Sequence, residues 1–235
     1  MKLDKDIKNC LKLILAFILF FAYPYIGRLF LPSLDLTSDF NYYLVSMVGE
    51  IIFIAILIFM YFKDLREQLK DFIKNFLKYM DAGFKYWMVG VAIMAISNLI
   101  INTFSTNGIA ENQQSVQSII ELYPIIAFIF TTIFAPIVEE MVYRKAFKDV
   151  FKNKYLFILL SGLIFGGLHV ISSFSSLYDL FYIIPYSSLG IAFAYTYYET
   201  NNIFTSIAYH AIHNGALTII SIIALQVGSL LWQVD

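Results

Sequence analysis

Apolar residues come in long blocks along this chain, each close to the length that crosses a bilayer, with polar residues gathered in the gaps. A window of about 20 residues, the span of a hydrocarbon core, places blocks at roughly 11–31, 42–62, 86–104, 118–143, 155–172, 180–198 and 203–225. Residues 219–232 form a short eighth span if the chain breaks near Ser221. Pro24, Pro124, Pro136 and Pro185 fall inside blocks, where neighbouring helices satisfy the carbonyls they free. No repeat, low-complexity tract or linker interrupts the pattern. The expectation is one integral membrane domain over 1–235, an all-α polytopic membrane bundle of seven or eight transmembrane helices.

Two gaps have their own character. In 64–83, Leu65, Leu69, Phe72, Ile73, Phe76, Leu77 and Met80 recur at helical spacing with charged residues opposite. That pattern predicts a basic amphipathic helix lying in the membrane interface. Residues 105–118 predict an outer polar loop.

Composition supports the membrane reading. The chain is 60% hydrophobic and 14% charged, with a mean hydropathy of +0.72, far from soluble globular values. The distribution of its 16 basic residues says more than the net charge of −1. They cluster before the first block, between the second and third, and between the fourth and fifth. Arg28 alone falls on the other side, and nothing basic follows Lys154. This asymmetry predicts a cytoplasmic N-terminus. No basic patch with interleaved soluble aromatics exists, so nucleic acid is not an expected partner. The single cysteine, Cys10, excludes an intrachain disulfide and a cysteine-based zinc knuckle. Lys2, Lys5, Lys8 and Lys12 lead into an apolar run, but no small-residue cleavage site follows, which predicts a retained first membrane helix.

The exceptions inside the apolar blocks carry the candidate chemistry. Ala135–Arg144 reads Ala-Pro-Ile-Val-Glu-Glu-Met-Val-Tyr-Arg and puts two carboxylates at membrane depth. A charge there costs from about 3 to more than 10 kcal/mol and needs a partner, water or a task. On a helix Glu140 and Arg144 stand at i and i+4 and can pair. Glu139, about 100° around the axis, gets no such partner. His169 ends Phe-Gly-Gly-Leu-His in the fifth block, and Gly162, Gly166 and Gly167 there permit close helix approach. His210 and Asn214 share a face of the seventh block, with His213 turned away from both. Pro136 removes the hydrogen bond to the Thr132 carbonyl and predicts a bend before Glu139.

Two imidazoles and a carboxylate suit water activation. They could hold Zn²⁺ with a carboxylate as general base, or polarise water without a metal. Asn214 can donate to a developing oxyanion. The soluble zinc-protease signature His-Glu-x-x-His is absent.

Glu139-Glu140-Met-Val-Tyr-Arg144, Phe165-x-x-x-His169 and His210-x-x-x-Asn214, in that order, resemble the CAAX-protease and bacteriocin-processing family, which includes the CAAX prenyl endoprotease. The resemblance covers roughly 118–225. It implies an intramembrane endopeptidase, a metalloprotease if a metal is required, acting on peptide or membrane-protein substrates. By that resemblance Glu139 activates water with His169, while His210 and Asn214 stabilise the oxyanion or help bind metal, His169 and His210 being the metal candidates. Glu140 and Arg144 are a supporting pair, and the site opens to the cytoplasmic half of the bilayer. The abundance of Lys, Asn, Ile and Phe points to an AT-rich bacterial genome and a bacterial cell membrane. A non-catalytic scaffold or immunity protein of the same fold, and a small transporter, are the competing readings.

Helical rise alone leaves a mismatch of depth. His169 lies about 21 Å from Tyr155, and Glu139 only about 9 Å from Lys145, at 1.5 Å per residue.

Overall fold

The computed structural model describes residues 4–104, 110–172 and 174–231. Among these, seven helical stretches are long and apolar enough to cross a membrane. Helix α1 runs Lys5–Phe30, α2 Asp39–Lys74 and α3 Phe76–Phe104. A shorter helix, α4, spans Glu111–Leu122. Then come α5 (Pro124–Val150), α6 (Lys154–Ile171) and α7 (Ile183–Thr200, entered through a 3₁₀ turn at Leu177–Tyr182), and finally α8 (Ile203–Leu231).

Each predicted block appears, with three corrections at the boundaries. The fourth block divides at Tyr123, where φ −143° and ψ 66° end α4, and Pro124 starts α5 at a position that needs no N–H. Residues 111–118, expected as loop, are therefore the polar first turns of α4, while 105–109 lie outside the described residues. The proposed eighth span does not form, because α8 continues unbroken through Ser221 to Leu231. Finally, 64–83 is not one interfacial helix. Its first part extends α2 beyond a kink at Tyr61 (φ −119°, ψ 16°), Asn75 breaks the chain, and the remainder opens α3. The apolar positions Ile73 and Leu77 stay exposed.

Helices α6 and α7 pack along each other, α3 lines the far side of α7, and α1 crosses α2. A Cβ on Gly27 would sit 1.9 Å from the Val45 carbonyl oxygen, so only glycine permits the α1–α2 contact. The core lies where α5 passes between these pairs. Phe53, Leu57, Val142, Tyr143, Phe157 and Phe165 are buried there together. Large apolar side chains such as Ile18, Phe59, Leu99 and Ile220 are exposed around the perimeter, as lipid-facing positions require. Beyond the kink, Lys145 of α5 binds Asp64 at 2.8 Å and Asp149 at 3.0 Å, tying the basic end of the bundle together.

Candidate functional site

Helix α5 is not uniform. Phe130–Phe134 and Met141–Ala146 are π-helical, flanking the α-helical turn Ala135–Glu140. Such bulges are a common way to re-aim side chains at functional sites. The first also alters the expected effect of Pro136. In the i→i+5 register, the missing proline N–H leaves the Thr131 carbonyl without its partner, not only that of Thr132. Asn214 of α8 takes its place, donating its side-chain amide to Thr131 O at 3.0 Å.

The two glutamates meet different surroundings. Glu140 is fully buried. Its Oε2 lies 3.2 Å from Arg144 Nε and accepts from Ser206 Oγ, and its Oε1 lies 3.0 Å from His210 Nδ1. Arg144 is also fully buried. It donates to the Gly190 carbonyl at 3.1 Å, and its guanidinium covers the Phe165 ring at 4.5 Å. Burying such a pair is tolerable only with further hydrogen bonds of this kind. Glu140 and Arg144 thus form a closed network whose outward product is the orientation of His210.

Glu139 faces the other way, into a cavity of about 460 Å³. Its Oε2 lies 3.6 Å from His210 Nε2 and its Oε1 3.9 Å from His169 Nε2. Both gaps exceed a direct hydrogen bond, so the carboxylate and the two imidazoles face one another across the cavity without pairing directly. His169 Nδ1 is 2.8 Å from the Phe165 carbonyl. A carbonyl only accepts, so this nitrogen carries the proton and Nε2 is left to face Glu139. The rings are wedged in place: His169 stacks on Tyr186 at 5.0 Å, and His210 on Phe193 at 4.7 Å. His213 and Asn214 line the same cavity.

The mismatch of depth is resolved by the length of α5, which continues to Val150. Glu139 then lies about 16 Å from that end and His169 about 22 Å from the Lys154 end, a difference that helix tilt absorbs. Of the three glycines expected to draw α6 in, two do so. A Cβ on Gly162 would stand 2.8 Å from the Ile191 backbone nitrogen, and one on Gly166 2.5 Å from that of Ser187. Gly167 meets nothing within 4 Å and has no such role.

Glu139, His169, His210 and Asn214 therefore line one cavity, and Glu140 and Arg144 lie buried behind it, joined to it through His210. Sequence reasoning missed Ser206, Thr131 and Glu50. Ser206 stands one turn before His210 on the same face, a signal that was present. Glu50 of α2 is 4% exposed, and its Oε2 has no hydrogen-bond partner; nothing in its local sequence separates it from a lipid-edge carboxylate. The expected opening was toward the cytoplasmic half of the bilayer. The cavity runs from Glu139, His210 and Phe193 past Asn98, Asn102 and Asn112, toward the ends of α3 and α4 that carry no lysine or arginine.

Comparison with known proteins agrees with these motifs. Residues 121–216 match the family described as type II CAAX prenyl endopeptidase Rce1-like. The resemblance to CAAX proteases is thereby shown for the stretch that holds every candidate side chain. YdiL of Bacillus subtilis strain 168, provisionally named a membrane peptidase, is 27% identical over 68% of this chain and 62% of its own length. An uncharacterized protein of Mycoplasma capricolum is 30% identical over 80% of this chain and 57% of its own. The chain thus spans about 60% of the length of these curated relatives. No solved structure matches it.

Proposed function

We propose that this integral membrane protein is a peptidase that hydrolyses peptide bonds within the bilayer, using a water molecule activated by Glu139. The observation that carries this reading is Glu139 facing two imidazole Nε2 atoms at 3.6 and 3.9 Å across a cavity. The family match and the similarity to YdiL support the reaction class.

A water in that gap donates one hydrogen to Glu139 and the other to His169 Nε2, which directs its lone pair at a carbonyl carbon above. Glu139 takes the proton as the C–O bond forms, then delivers it to the leaving nitrogen as the C–N bond breaks. Asn214 uses one amide hydrogen on Thr131 and has a second for the oxyanion. Glu140 accepts from His210 Nδ1 and so fixes the ring with Nε2 toward Glu139. No acyl-enzyme forms.

Zinc would take His169 and His210 as its protein ligands, and their Nδ1 contacts to Phe165 O and Glu140 are the outer-shell partners that ligating histidines have. Among the described residues, however, no three His, Cys, Asp or Glu side chains converge closely enough to hold an ion. No step is therefore routed through a metal. Chelation should leave hydrolysis unchanged; loss restored by Zn²⁺ would assign both imidazoles to the metal.

The test is a comparison of peptides in cells carrying wild type and Glu139→Gln. Uncleaved membrane or secreted peptides should accumulate in the variant. Identical profiles, with both proteins expressed, would favour a non-catalytic scaffold.

A further inference from the structure

The cavity has a chemical character of its own, independent of the residues at its floor. Among the described residues lining it, Glu139 is the only acidic one, and no lysine or arginine is present. Arg144, the nearest guanidinium, is sealed behind Phe165 and committed to Glu140. A carboxylate carried into this space would lose its hydration without gaining a cation, and an ammonium would have Glu139 alone to pair with among the described lining residues.

Besides hydroxyls such as those of Thr218 and Ser221, the polar groups lining the route include four amides. Asn98 and Asn102 come from α3, and Asn112 and Gln113 from α4. Only two are partly engaged: Asn102 accepts from Tyr182 Oη at 3.4 Å, and Asn112 donates to Tyr186 Oη at 3.3 Å. A primary amide offers both a donor and an acceptor, the complement of a peptide unit. An extended peptide drawn out of bulk water to this depth needs such partners for its backbone. Around a small adjoining pocket that shares Ala110, Tyr182 and Tyr186 with the cavity, Glu111 accepts from Ser175 at 3.2 Å, and Asp179 accepts the backbone N–H groups of Ser175 and Ser176. These carboxylates repel a free C-terminal carboxylate.

The mouth lies at the end of the bundle where Arg28 is the one basic residue, and that guanidinium is turned onto the Leu31 and Leu34 carbonyls. The remaining described lysines and arginines lie at or toward the opposite end. By the positive-inside rule the mouth is then extracytoplasmic.

We propose that the cavity receives an uncharged, extended stretch internal to a peptide chain, entering from the extracytoplasmic side, with Asn98, Asn102, Asn112 and Gln113 pairing with its backbone. The fate of the bound peptide rests on the peptidase reading, but its binding does not. Binding is therefore measured on the Glu139→Gln protein in nanodiscs, where a failure of hydrolysis has no bearing. The probes are short apolar peptides capped at both ends, the same peptides with a central Asp or Lys, and the same with a free C-terminal carboxylate. The capped, uncharged peptide should bind at least about tenfold more tightly than the others. Asn98→Leu combined with Asn102→Leu should weaken it by a similar factor without equalising the series. Equal affinity across the series, or preference for the free carboxylate, overturns the assignment. The entry side is read by introducing Asn102→Cys in a Cys10→Ser background. A membrane-impermeant maleimide should label it in intact cells, more slowly when the capped peptide is present. Labelling only after lysis overturns the entry side.

Discussion

His210 Nδ1 stands 3.0 Å from Glu140 Oε1, inside a network closed to solvent. Under the proposed function, this contact makes the second glutamate of the pair a support for the first. Glu140→Gln removes the counter-charge of a buried Arg144 and should cost about 3–5 kcal/mol of stability. Adding Arg144→Met should restore most of the thermal stability, because the orphaned charge is gone. Activity should stay down by about 10–100-fold, the usual penalty for losing a partner that orients a functional histidine. Recovery of full activity in the double variant would show that Glu140 does nothing for His210.

Asn214 closes a backbone defect as well as lining the cavity. Asn214→Asp keeps the shape but has no hydrogen to give Thr131 O. It should therefore be as damaging as Asn214→Ala, each losing about 1–3 kcal/mol from the unpaired carbonyl. Thermal unfolding of both variants checks this. An aspartate variant as stable as wild type would contradict the assigned bond.

The α6–α7 contact gives a paired test within two adjacent residues. Gly166→Ala would place a methyl against the Ser187 backbone and should cost about 1–3 kcal/mol while displacing His169. Gly167→Ala meets open space and should leave both stability and activity near wild type. Equal damage from the two would mean that α6 is rotated from the orientation described.

Glu50 tests whether a buried carboxyl outside the motifs matters. With no cation opposite and Oε2 unpartnered, Glu50→Gln should leave the melting temperature close to wild type. Glu50→Lys should abolish membrane accumulation, because it buries a full charge among packed helices. Accumulation of Glu50→Lys at normal levels would show that this face of α2 is wet.

These side chains also mark what sequence can and cannot carry. Helix existence followed from apolar block length, because that signal is set by bilayer thickness and not by tertiary context. The Glu140–Arg144 pair followed from i,i+4 spacing, and the division of labour between the glutamates from the same geometry. The two π turns had no sequence signal beyond Pro136, since helical register depends on what packs alongside. For that reason the carbonyl served by Asn214 is Thr131 and not Thr132 alone. Gly167 was indistinguishable from Gly166 until the facing helix was placed. The direction of the cavity also depended on packing among α3, α4 and α8, which hydropathy does not encode. Glu50 was hidden for the same reason: its burial comes from packing and from no local pattern.

The central claim is that Glu139 activates water between His169 and His210, and the most direct measurement is peptide hydrolysis by purified protein in nanodiscs. Wild type, Glu139→Gln and Glu139→Asp would be compared on one internally quenched, capped apolar peptide. Glutamine should lower the single-turnover rate by at least about 10²–10⁴-fold, the range of a lost general base, with aspartate in between and binding retained in all three. A glutamine variant that cleaves at the wild-type rate would contradict the account.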